Sequence, residues 1–111
     1  MQILRFFVQG SAPEPYVVTF VKPDENCLNA YCTCPAGENG QYCKHRFGLL
    51  NGEPKNIVSG NEADLTQLAT MFKGSDVEAS YTKVIDLEKQ ATALKRKLSA
   101  AKKDLARTMR G

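Results

Sequence analysis

Cys32, Cys34, Cys43 and His45 stand in the order C-x-C-x8-C-x-H, and this spacing constrains the chain more than anything else in it. All four cysteines fall within the seventeen residues Cys27–Cys43, and the only histidine follows two positions later. Such crowding points to one site. On an extended strand, residues two apart share a face, so Cys32 and Cys34 can grip one ion together. Cys43 and His45 read as the first turn of a short helix, where backbone donors and the helix dipole favour a thiolate. The intervening loop carries Gly37 and Gly40, which let the helix fold back onto the strand. Three thiolates and one imidazole suit tetrahedral Zn2+. Four protein ligands leave no open coordination position, so the expected cofactor is one structural zinc. The competing account is a set of buried free cysteines beside an incidental histidine, which explains one or two of the positions but not their joint spacing.

The chain has 111 residues and 12.2 kDa, room for one small domain and an appendage. Residues 1–74 form the predicted zinc-binding head, with its motif core at 16–51, and residues 75–111 a separate helix. A core that small supplies only about 3–5 kcal/mol, so metal binding should contribute heavily to folding. Met1–Gly10 contains no cleavable apolar region, and no run approaches the ~20 apolar residues of a membrane span. The expected setting is cytoplasmic, where clustered cysteines hold metals more often than disulfides.

The fold class expected is α+β: a small antiparallel β-meander and a short helix around the zinc, then a second helix and a long C-terminal one. Ile3–Val8 and Tyr16–Val21 are apolar runs rich in strand formers, and Cys27–Cys34 can pair back as a third strand. Pro35–Gly40 reads as a loop, Cys43–Leu50 as a helix ended by Asn51-Gly52, and Lys55–Ser59 as a brief extended segment. Asn61 is the predicted N-cap of the next helix, with Leu65, Leu68, Ala69 and Phe72 as its buried stripe and Gly74 as its stop. Ser75 and Glu78 make a capping box. No Gly or Pro then intervenes before Gly111, which predicts a helix of about 34 residues, roughly 50 Å long.

At these residues the sequence resembles the SWIM zinc finger, whose pattern is C-x-C, a variable spacer, then C-x-H. Tyr16-Val17-Val18 lies in the preceding hairpin, Cys32-Thr33-Cys34-Pro35 and Cys43-Lys44-His45 carry the ligands, and an apolar helix follows. Gly48 departs from the pattern, standing where the family's helix carries a better helix former. The resemblance implies a module that binds DNA or other proteins.

Cys27 is spare: on a regular strand it shares a face with Asn29 and Tyr31, away from Cys32 and Cys34, and so reads as structural, unless a bulge intervenes. A catalytic Cys43–His45 pair would need an accessible thiolate and an orienting third group, and the other cysteines crowd that site instead. With no phosphate loop or paired-acid motif either, the chain reads as non-enzymatic.

Charge divides the molecule. Met1–Thr82 carries six Lys/Arg against nine acids, and from Lys83 onward nine Lys/Arg stand against three acids. In the tail, Val77, Val84, Ala91, Leu98 and Leu105 fall at heptad a, with Leu87, Leu94 and Ala101 at d, while Ser80 and Thr108 are polar exceptions. This seam predicts a homodimer through residues 77–108, antiparallel because Glu88 then meets Lys95 and Lys83 meets Asp104. A helix docked on its own head is the alternative. Lys95, Arg96, Lys97, Lys102, Lys103 and Arg107, with Lys44 and Arg46 beside the metal, are candidate phosphate contacts; a merely solvated face is the plainer account. Two functions follow: a DNA-associated accessory protein, or an adaptor whose helix recruits a protein partner.

Overall fold

The computed structural model describes all residues, Met1–Gly111, as an α+β protein. Three antiparallel strands, β1 (Gln2–Val8), β2 (Tyr16–Lys22) and β3 (Asn29–Cys32), form a meander in sequence order. Alternation drives it: Leu4, Phe6 and Val8 of β1 and Val18 and Phe20 of β2 are buried while their neighbours are less so. The register aligns Phe6 with Val18 and Val18 with Cys32, so an unbroken inward row crosses the sheet and ends on a metal ligand. Phe6 and Phe20 meet edge to face, 6.1 Å between ring centres.

The helices are α1 (Pro35–Glu38), α2 (Lys44–Leu50), α3 (Leu65–Phe72) and α4 (Asp76–Met109), with a 3-10 turn at Glu62–Asp64. Leu49 and Leu50 of α2, Leu68 and Met71 of α3, and the isolated residues Leu28 and Ile57 complete the core. The chain forms two units, Met1–Glu78 and Ala79–Gly111. No helix is long and apolar enough to cross a membrane.

Several local expectations change. The third strand is shorter than Cys27–Cys34 because the amides of Cys27 and Leu28 are taken by carboxylates: Asp24 Oδ1 accepts from Cys27 at 3.0 Å and Asp76 Oδ1 from Leu28 at 3.0 Å. At its other end Thr33 N–H still donates to Val17 O, 3.1 Å away. Pro35–Glu38 is a helical turn rather than loop, since Pro at the first position and Cys34 as its cap both favour one. Asn61 does not cap α3. Its amide donates instead to Arg5 O (2.9 Å) and Asp64 Oδ2 (3.0 Å), and a 3-10 turn intervenes. On α3, Met71 takes the buried place expected of Ala69, which is exposed. Lys55–Ser59 contributes a single bridge, Ile57 to Val8, and Ser59 Oγ accepts from Phe7 N–H at 3.1 Å, covering the outer edge of β1.

The start of α4 follows the capping-box pattern with a one-residue shift. Ser75 Oγ accepts from Glu78 N–H at 3.2 Å, and the Glu78 carboxylate reaches back to Gly74 N–H at 3.0 Å. Gly74 has φ +79°, a left-handed conformation that ends α3 and that side chains disfavour.

Candidate metal centre

Strand β3 delivers Cys32, the next inward position delivers Cys34, and the N-terminus of α2 delivers Cys43 as its cap and His45 in its first turn. The burial pattern confirms the shared face, with Cys32 and Cys34 buried and Thr33 exposed between them. One donor atom from each of the four residues lies within 4.8 Å of all the others. Cys34 Sγ is 3.3 Å from Cys43 Sγ, and His45 Nδ1 is 3.6 Å from Cys43 Sγ and 3.9 Å from Cys32 Sγ. A tetrahedron with ~2.3 Å zinc–sulfur bonds has edges of about 3.8 Å, so the donor set fits that ion.

The backbone around the sulfurs is arranged to carry negative charge. Cys34 N–H points to Cys32 Sγ at 3.5 Å, and Gly37 N–H donates to Cys34 Sγ at 3.3 Å. Burial pushes the Cys32 thiol up to about 12. Burial also acts against the Cys43 thiolate, but hydrogen bonds from the Arg46 N–H, the neighbouring cysteines and the His45 N–H outweigh it and hold that thiol below its ordinary value. His45 is lowered by burial and then by the Lys44 charge, which favours the neutral, metal-binding imidazole. A cation replaces the protons these buried sulfurs would otherwise keep.

Two glycines shape the site. A Cβ at Gly37 would lie 2.5 Å from Cys32 O and 2.8 Å from Cys32 Cβ, so only glycine lets α1 bring its N–H to Cys34. A Cβ at Gly10 would lie 2.5 Å from Tyr16 Cε2 and 3.0 Å from His45 Nε2. Tyr16 in turn packs its ring 4.9 Å from the imidazole. Gly10 thus backs the ligand from the side opposite the sulfurs, a role its position in a Pro- and Gly-rich loop does not reveal.

Cys27 lies outside the cluster. Its thiol is held above the ordinary value by a hydrogen bond to Asp24 and by burial, which leaves a neutral structural cysteine. Of the two cations flanking His45, Lys44 is exposed, whereas Arg46 is half-buried. Arg46 Nη1 donates to Ala30 O at 3.0 Å and Nη2 to Gln41 O, while Nε is buried without an acceptor. Its guanidinium tethers β3 to the segment before α2. The tail residues Lys95, Arg96, Lys97, Lys102, Lys103 and Arg107 are all exposed on α4.

Three buried thiolates and an imidazole, closed by four protein donors, define a structural zinc site. Residues 16–51, the span that holds all four ligands, match the family model of the SWIM zinc finger. No curated protein and no solved structure matches the chain.

Proposed function

We propose that the protein is a non-enzymatic binding module, its head ordered by zinc, that associates with duplex DNA through phosphate contacts made by α4. The observation that carries this reading is a row of unpaired cations. Lys89, Arg96, Lys103 and Arg110 recur every seven residues on the side of α4 opposite its leucines, about 10.5 Å apart at 1.5 Å rise per residue. Lys95, Lys97 and Lys102 flank the row. The ion pair within the basic half of α4 is Arg107–Asp104 at 3.5 Å, and it is exposed. Lys89, Arg96, Lys103 and Arg110 take no part in it, so their charge is available to phosphate. Lys44 adds an exposed positive charge beside the metal site, while Arg46 serves the head's own fold. Closed zinc coordination supports the non-enzymatic part of the proposal, and the need for reduced thiols supports an intracellular setting.

Titration of a labelled duplex with the zinc-loaded chain over a salt series tests the proposal. Binding should weaken steeply with salt, and Arg96→Ala with Lys103→Ala should lower the log–log slope by about two. Absence of binding at low salt, or binding indifferent to both salt and these changes, would refute it. The leucine stripe of α4 favours a second reading, in which the chain is an adaptor for a partner helix. Failure to bind the duplex together with Leu94-dependent retention of one defined polypeptide supports that alternative.

A further inference from the structure

We infer that α4 pairs with the α4 of a second copy of this chain, antiparallel, in the register that sets Ala91 against Leu94. This does not depend on DNA binding. Leu87, Leu94, Leu98 and Leu105 are each more than half exposed, although they form a single stripe of heptad period. Val77, at the head of the same stripe, packs against the core of the Met1–Glu78 unit, so the free seam begins at Val84.

Size and charge together select the partner and the alignment. In the proposed register Leu87 opposes Leu98, Ala91 opposes Leu94, and Val84 opposes Ala101, so each small residue meets a larger one. A parallel pair would stack Ala91 on Ala91 and Ala101 on Ala101, leaving two thin layers in the seam. Along its edges the antiparallel pair sets Glu88 against Lys95 and Lys83 against Asp104, each contact occurring twice by symmetry. Sliding one heptad in one direction makes Glu88 face Glu88 and Lys83 face Lys97. Sliding the other way makes Lys95 face Lys95 and Lys97 face Lys97, which offsets a Glu88–Lys102 attraction, and it stacks Ala91 on Ala101 in the seam. The parallel arrangement opposes Lys97 to Lys102, which offsets its one attractive pairing, Lys83 with Glu88. Only one alignment of two identical helices satisfies both the seam and its flanks. It also leaves Lys89, Arg96, Lys103 and Arg110 pointing outward on both helices.

Sedimentation of the full zinc-loaded chain over a concentration series tests the pairing. The expected result is a rise to twice the 12.2 kDa chain mass. Leu94→Asp should hold the protein at the single-chain mass with zinc content unchanged. Glu88→Lys should weaken association about tenfold, because two attractive contacts become repulsive. Adding Lys95→Glu to that chain should restore it. A single-chain mass at every concentration overturns the proposal, as does any assembly larger than two chains. Restoration by Lys83→Glu in place of Lys95→Glu would establish the parallel arrangement and equally overturn it.

Discussion

In the head, residues far apart in sequence hold one another: Phe6, Val18 and Cys32 form one row across three strands, and Cys32 and His45 belong to one cluster of metal donors. Along α4 the backbone bonds are local, and from Ala79 onward only Tyr81 is buried. The head therefore has long-range order that a single cation completes, whereas the helix has local order that needs no cation. Stability in the first should be cooperative and metal-dependent. In the second it should follow the propensity of each residue and whatever covers the leucines.

The largest separation between the two should come from Cys34→Ser or from chelation. Either should unfold the head and collapse its amide dispersion in NMR spectra, while far-ultraviolet circular dichroism keeps a substantial helical signal from α4. Complete loss of that signal would show that the helix depends on the metal as well. Next in size is Leu68→Ala, which removes a fully buried side chain. It should cost about 2–4 kcal/mol of head stability in denaturant titration, with the zinc stoichiometry intact. Gly37→Ala should reduce zinc affinity about 10- to 100-fold in competition with a chromophoric chelator, because backbone rather than a mobile side chain blocks the new methyl. Gly10→Ala should have a smaller effect on the same measurement, since the Tyr16 ring can move aside. Smallest of all, Ala93→Gly at an exposed site on α4 should lower helicity by an amount equivalent to about 1 kcal/mol and leave zinc affinity unchanged. A change in affinity there would end the distinction between the regions.

The site was legible in the sequence because its chemistry is local. Two inward positions on a strand, a turn, and the start of a helix are each specified by neighbouring residues, so C-x-C-x8-C-x-H was enough to nominate every ligand. The strands were legible for the same reason, through alternation in Gln2–Val8 and Tyr16–Lys22. What escaped depends on residues distant in the chain. Asn61 has the chemistry of a helix cap, but Arg5 O, 56 positions away, takes its amide. The third strand is shortened partly by Asp76, 48 positions beyond Leu28. Gly10 resembles loop punctuation until folding brings His45 against it, and Arg46 resembles a free cation until its guanidinium is seen bonded to two carbonyls.

Cys32 belongs at once to the strand ladder, the apolar interior and the ligand set. Slipping β3 by one residue against β2 would turn its sulfur toward solvent and carry Tyr31 or Thr33 inward. Such a mispaired chain could not assemble all four donors around the ion. Zinc capture thus acts as a proofreading step on strand alignment, rewarding the one pairing of this short, otherwise weakly specified strand that brings the sulfurs together.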